Sequence, residues 1–137
     1  MDVLTKEQRS RCMAAIRDRN TKPEKAIRSL IHNLGYRYRL HVSRLPGKPD
    51  LVFKSRKKVI FVHGCFWHRH FCSKGKSMPT TRIKFWKKKL TENKERDKRN
   101  RERLKELGWH SLVIWECQVK PENLDKLKTK ITDFLEN

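Results

Sequence analysis

Cys65, His68, His70 and Cys72 fall within one stretch of eight residues, and Cys117 follows the next predicted helix. Three thiols and an imidazole are four soft-to-borderline donors, the number and kind that close a tetrahedral structural Zn²⁺ site. Such an ion would tie a loop to the end of a distant strand. With three cysteines as ligands, the fourth donor is His68 or His70. The remaining imidazole then sits beside a rigid anchor, where it can be held for proton transfer. Buried, unligated cysteines with surface histidines are the plainer reading of the same residues, and Cys12 stands apart as a spectator.

A second grouping begins at Pro49-Asp50, ahead of the apolar run from Val59 to His63. Metal-dependent nucleases place a carboxylate at the mouth of a hairpin and an oxygen donor on the adjoining strand, holding Mg²⁺ beside a scissile phosphate. Pro-Asp is also a common turn, so the dipeptide alone is a weak sign. The acid and lysine usual on the second strand are missing here, because Val62 and Gly64 occupy that region. A main-chain carbonyl can still serve as a hard oxygen ligand. Glu24 has two readings: it completes a capping box with Thr21, or it points from the stripe of Ile27, Ile31 and Leu34 towards the Asp50 mouth.

The third grouping is one face of a long helix. Ile83, Trp86, Leu90, Asn93, Asp97, Asn100, Leu104 and Leu107 recur at three- and four-residue spacing. Both ends of this inward stripe are apolar and its middle is polar. An unpaired buried carboxylate is costly, so Asp97 needs a partner or a wet cleft. Lys84, Lys87, Lys88, Lys89, Lys94, Arg96, Lys98, Arg99, Arg101 and Arg103 flank the stripe. They form a solvated face or a phosphate-contacting one.

The elements that must position these residues follow from period and caps. Thr5-Lys6-Glu7-Gln8 has the capping-box form and predicts a helix to about Asp18; Thr21-Lys22-Pro23-Glu24 opens a second helix, closed by Gly35. The period then becomes two: Tyr36, Tyr38 and Leu40 alternate with arginines, as in a strand with one buried face. Leu45 to Pro49 turns the chain into a strand from Asp50 to Phe53, and Val59 to His63 reads as a central strand. A helix from about Arg82 to Glu106 ends at Gly108. Trp109 to Trp115 is a strand, and Pro121 leads a last helix with Leu124, Leu127, Ile131 and Phe134 on one face. The order α-α-β-β-β-α-β-α predicts an α/β fold, a mixed sheet flanked by helices. One domain over residues 21–137 is preceded by a basic arm over residues 1–20.

The 137 residues carry 35 Lys plus Arg against 15 Asp plus Glu, a formal net charge of +20. That surplus attracts polyanions, nucleic acid first and an anionic membrane surface second. The apolar run Val59 to Val62 is far short of the ~20 residues that span a bilayer. A secreted disulfide scaffold, an integral membrane protein and a collagen-like fibre are excluded, and a cytosolic location is expected.

Arg9-Ser10-Arg11, Met13-Ala14-Ala15-Ile16-Arg17, Thr21-Lys22-Pro23-Glu24, Leu45-Pro46-Gly47-Lys48-Pro49-Asp50-Leu51-Val52-Phe53 and Val62-His63-Gly64-Cys65-Phe66-Trp67-His68 together resemble the very-short-patch-repair DNA mismatch endonucleases. Phe85-Trp86, Asn93, Asp97, Asn100, Gly108-Trp109 and Trp115-Glu116-Cys117 extend the likeness over about residues 5–118. It implies a restriction-endonuclease-like fold and a strand-specific nick 5′ to the T of a T·G mismatch left by deaminated 5-methylcytosine. It implies two Mg²⁺ ions at Asp50 with the Val62 main-chain carbonyl as a further ligand, where the family has Thr. His68 matches a catalytic histidine supported by Asp97, and Glu24 an active-site acid. Cys65, His70, Cys72 and Cys117 match the ligands of one structural Zn²⁺. Phe66, Trp67 and Trp86 match aromatics that wedge into DNA, with Asn93, Met13 and Ile16 as further DNA contacts. The loop Ser73 to Met78 departs from the family pattern. Partners implied are double-stranded DNA and mismatch-repair proteins in a bacterial cytosol, with no membrane. Two other readings are a same-fold nuclease of different mismatch or site specificity and a zinc-containing DNA-binding module without catalysis.

Overall fold

The computed structural model describes residues 21–70, 72 and 76–137. The expected arm and its helix, Cys12, Met13 and Ile16 therefore lie outside the described residues, as does the loop segment Ser73 to Gly75.

Helix α1 (Lys22–Asn33) begins at a complete capping box. Thr21 Oγ1 accepts from the Glu24 N–H at 3.4 Å, and Glu24 Oε2 accepts from the Thr21 N–H at 3.2 Å. Gly35, at φ +97°, takes the left-handed position that ends the helix. Strand β1 (Arg39–Leu40) pairs antiparallel with β2 (Leu51–Phe53), and β2 antiparallel with β3 (Lys58–His63). After helix α2 (Ile83–Glu106) the chain returns as β4 (His110–Trp115), parallel to β3 with Val62 opposite Ile114 and His63 opposite Trp115. Helix α3 (Leu124–Glu136) completes a mixed sheet in the order β1-β2-β3-β4 with helices on both faces.

Strand alternation divides the core between those faces. Leu51, Phe53, Ile60 and Ile114 pack with Ile27, Leu30 and Ile31 of α1 and Leu127, Ile131 and Leu135 of α3. Val52, Val59 and Phe61 turn the other way, onto Leu104 of α2 with half-buried Trp109 and Val113. Lys58 is buried because its ammonium serves the end of α3, donating to Phe134 O at 2.5 Å and Leu135 O at 3.2 Å. Arg56 adds a bond to Leu135 O at 3.0 Å. The last carbonyls of a helix have no partner within it and carry negative partial charge, so both cations are well placed.

Three expectations need correction. The strand predicted from Tyr36 contracts to Arg39–Leu40, and Leu40 is exposed. Tyr36 and Tyr38 do pack against the core, but β1 is an edge strand and its apolar face ends with them. The ends of the α2 stripe are not inward: Ile83 and Leu107 are 53% and 57% exposed. A helix of 24 residues runs ~36 Å and a six-residue strand ~20 Å, so both helix ends overhang the sheet. In α3, Leu135 is buried in the face where Leu124 was expected, and Leu124 is exposed beside the 3₁₀ turn Pro121–Asn123. No helix among the described residues is long and apolar enough to cross a membrane.

Candidate active site and metal centre

Parallel β3 and β4 end side by side, β3 in the turn Gly64 to His70 and β4 in the 3₁₀ turn Glu116–Gln118. Beyond the carboxyl end of such a pair the chain leaves the sheet and opens a crevice. A cleft of about 1260 Å³ lies there, between α1, the Ser43–Asp50 turn, β3 and the polar middle of α2. Two groups of titratable side chains line it.

The first group is Glu24, His41 and Asp50, whose ligand atoms all lie within 4.8 Å of one another. Asp50 directly precedes β2, and its Oδ2 accepts from the Val62 N–H at 2.7 Å. Burial pushes its carboxyl up to about 8, helped by a bond to Glu24 and opposed by the Val62 N–H and the Arg28 guanidinium. Glu24 is 1% exposed and fills both roles read for it. Oε2 closes the capping box and meets Arg28 Nη2 at 3.2 Å, while Oε1 faces His41 Nε2 at 3.1 Å. That nitrogen also faces Arg28 Nη2 at 2.9 Å, and Glu24 Oε1 is left buried without a hydrogen bond. Two crowded carboxylates, Glu24 buried with an orphaned oxygen and Asp50 half-buried, form a donor set suited to a hard divalent cation.

The second group is His63, His68 and Asp97. His68 Nδ1 and Asp97 Oδ2 are hydrogen-bonded, which fixes the imidazole's orientation from α2. The carboxylate on the inward stripe has thus found its partner. His63 lies beneath, its ring stacked on His68 at 3.8 Å and 4°. Imidazole lone pairs lie in the ring plane, so two parallel stacked rings do not aim at one ion. This group suits proton handling better than metal binding. Burial drives His63 down to about 3, with the His68 and Arg101 charges adding and Asp97 opposing.

Cys65, His70, Cys72 and Cys117 form the third group, with ligand atoms again within 4.8 Å of one another. Cys117 Sγ lies 3.5 Å from His70 Nδ1, and the His70 ring stacks on Trp115 at 4.3 Å. Burial, opposed by the Cys117 backbone, lifts the Cys65 thiol up to about 12. A cation would reverse this, since metal coordination deprotonates thiols. The cluster can bind a metal, and its donors are those of a closed tetrahedral site. His70 therefore stands with the cysteines and His68 with the carboxylate.

Phe66 and Trp67 line the cleft, and they meet each other and Trp86 edge to face or tilted at 5.2 to 5.9 Å. Exposed Phe85 joins Trp86 at 5.4 Å. Asn93 is buried, and its amide donates to Trp67 O at 3.3 Å, holding the aromatic turn against α2. Among the flanking cations of α2, only Arg101 is half-buried, in the cleft.

Sequence reasoning missed His41, His63 and Glu116. The signal for His63 is its parity with Val59 and Phe61, which turns it to the α2 face. Glu116 lines the cleft and accepts from the Cys65 N–H at 3.0 Å, and its adjacency to Cys117 was the available clue. His41 follows a two-residue strand, and no local pattern joins it to Glu24.

The family described as DNA mismatch endonuclease Vsr matches residues 1–74. The chain is 44% identical over 135 residues to a type II nicking enzyme, V.XorIIP, of Xanthomonas oryzae pv. oryzae, covering 98% of this chain and 97% of the relative. It is 46% identical over 119 residues to the DNA mismatch endonuclease Vsr of Escherichia coli, covering 87% and 76% respectively. A type II nicking enzyme of Neisseria meningitidis, V.NmeAIP, is 40% identical over 137 residues, at 96% and 97% coverage.

Proposed function

Because the chain belongs to the DNA mismatch endonuclease Vsr family and is a DNA endonuclease, we propose that it nicks one strand of duplex DNA 5′ to the T of a T·G mismatch, by Mg²⁺-dependent phosphodiester hydrolysis. The observation that carries this reading is the pair of groups in one cleft: two crowded carboxylates, the buried one with an orphaned oxygen, and an imidazole held by a carboxylate.

Asp50, with the Val62 carbonyl and Glu24, would hold Mg²⁺, two ions by family resemblance. When bound, Mg²⁺ polarises the scissile phosphate and neutralises charge on the departing 3′ oxygen. His68 takes the proton of the attacking water at Nε2, since Nδ1 is occupied by Asp97. Asp97 stabilises the imidazolium that results and keeps the ring aimed. His63, neutral and buried, supports the ring from below without adding charge. Arg101, beside it in the cleft, balances the phosphate.

Phe66, Trp67 and Trp86 insert beside the mismatch. Unstacking costs a few kcal/mol and least at a weak pair, so stack opening selects the site. The exposed cations of α2 supply sequence-independent affinity, with residues 1–20, including Met13 and Ile16, and Asn93 as further DNA contacts. Cys65, His70, Cys72 and Cys117 would hold a zinc ion, which would have a structural role. The fold reads as restriction-endonuclease-like, with residues 21–137 as one nuclease domain. The setting is a bacterial cytosol with mismatch-repair proteins as partners.

The test is a nicking assay on end-labelled duplexes carrying each mismatch, and a matched control, with Mg²⁺ present or omitted. A nick confined to the T strand of T·G and dependent on Mg²⁺ is expected. Equal nicking of all mismatches or of matched DNA overturns the specificity, and DNA binding without cleavage overturns the catalytic reading.

A further inference from the structure

His41 precedes the turn that delivers Asp50, and antiparallel pairing of Leu40 with Leu51 makes His41 and Asp50 the next opposed pair. The His41 N–H donates to Asp50 O at 3.4 Å. His41 also sits at φ 49°, a left-handed conformation uncommon for residues other than glycine, though histidine joins asparagine and aspartate as the side chains enriched there. Strain of this kind persists where the surroundings hold it, and it gathers at functional sites. Here it brings an imidazole to the two carboxylates.

The nitrogen's role follows from its neighbours. Arg28 Nη2, which can only donate, lies 2.9 Å from His41 Nε2, so Nε2 presents a lone pair and not a proton. The same guanidinium nitrogen lies 3.2 Å from Glu24 Oε2. A cation thus already engages the donors that a metal ion would use. His41 Nε2 and Glu24 Oε1 are 3.1 Å apart. Two ligands at ~2.1 Å on adjacent corners of an octahedron are separated by ~3.0 Å. Glu24 Oε1 is buried and lacks any hydrogen bond, which leaves it open to coordinate.

We propose that His41, through Nε2, is a nitrogen ligand of the divalent cation at Asp50 and Glu24, and that it shifts the site's preference from Mg²⁺ towards Mn²⁺. The inference rests on the reading of Asp50 as a cation ligand. Mg²⁺ strongly favours oxygen donors, whereas first-row transition ions accept imidazole readily. On binding, Arg28 gives up Nε2 and retains Glu24 Oε2.

The experiment uses zinc-loaded protein and Mn²⁺ alone as the probe, read by electron paramagnetic resonance without DNA. His41→Asn is the informative variant, since asparagine tolerates left-handed φ and offers oxygen in place of nitrogen. Wild type is expected to bind Mn²⁺ with a directly coordinated ¹⁴N coupling in its spin-echo modulation. In His41→Asn that coupling disappears and the Mn²⁺-to-Mg²⁺ affinity ratio, from competition, falls about tenfold or more. Asp50→Ala is the control and is expected to lose the ion. An ion lost in Asp50→Ala but showing no ¹⁴N coupling in wild type, or an unchanged ratio in His41→Asn, overturns the role of His41 and leaves the cation site standing. Mn²⁺ binding that Asp50→Ala does not alter overturns the cation site itself, and the proposal with it.

Discussion

Gly47→Ala is the substitution by which the link between packing and catalysis can be measured. Gly47 has φ +81°, and a Cβ there would lie 3.1 Å from Phe61 Cε1, 3.2 Å from Phe61 Cζ and 3.2 Å from Asn100 Cβ. Two costs add. The left-handed backbone costs a residue with a side chain ~1–2 kcal/mol. Forcing a methyl into close packing costs a further ~1–3 kcal/mol. Gly35 is the natural control: its φ is +97°, but nothing lies within 4 Å of its added Cβ, so Gly35→Ala bears only the backbone cost. Gly47→Ala should therefore be less stable than Gly35→Ala by ~1–3 kcal/mol in urea unfolding, at ~3–5 °C of Tm per kcal/mol for a chain of this size. The strain has a direction. Relief moves the turn away from β3 and α2, carrying Asp50, or turns the Phe61 ring, which lies 5.4 Å from His63. Nicking rate should fall ~10-fold or more at unchanged DNA affinity, as expected for displaced catalytic groups. Equal stability of the two variants would show that the contact is not tight. A stability gap with wild-type nicking would show that the turn does not position Asp50.

Asp50→Ala should abolish nicking while duplex affinity stays within ~10-fold by gel shift, because the basic surface carries most of the binding; undiminished nicking removes Asp50 from the mechanism. Cys65→Ser and Cys117→Ser should each release zinc and lower Tm, since a closed metal site contributes folding energy; wild type purified without stoichiometric zinc by elemental analysis refutes this. His63, held down to about 3 by burial, takes up a proton on unfolding between that value and the ordinary 6.5. Its contribution to stability is complete above pH 6.5 and is lost as pH falls towards 3, at up to ~1.4 kcal/mol per unit. Asp50, raised from 3.8 to about 8, works oppositely, its contribution being complete below 3.8 and lost as pH rises. The measurement is therefore the difference in the pH slope of unfolding free energy between wild type and His63→Gln, and equal slopes from pH 6.5 to 4 exclude the effect.

Local patterns reported what local physics decides. The capping box at Thr21 and the Cys/His donor cluster were legible because their spacing is itself the signal, although spacing left His68 and His70 as alternatives for the fourth donor. Polar Asp97 within an apolar stripe was legible because a buried carboxylate demands a partner. Ile83 and Leu107 misled because helical period reports which way a side chain points, not whether the sheet extends beneath it. Leu40 misled similarly, since alternation does not mark where a sheet's edge loses its cover. His63 looked like the end of an apolar strand, its chemistry hidden by burial. The meeting of His41 with Glu24 depends on strand pairing and helix packing at once, which no window of sequence contains.

The ring stack at the centre of the cleft has a mechanical consequence. Flat rings 3.8 Å apart and 4° from parallel resist compression and tilting, because repulsion rises steeply, yet they slide across one another at little cost. Trp115 buttresses His63 edge-on at 5.3 Å and 70°, so this floor is rigid. Asp97 tethers one corner of the upper ring. With Cγ bonded to Cβ and Nδ1 held by Asp97, what remains to His68 is a small slide of the ring in its own plane, like a drawer above a flat sill. Nε2 therefore sweeps a short arc instead of exploring a volume, and alignment with a bound phosphate becomes a search along a line.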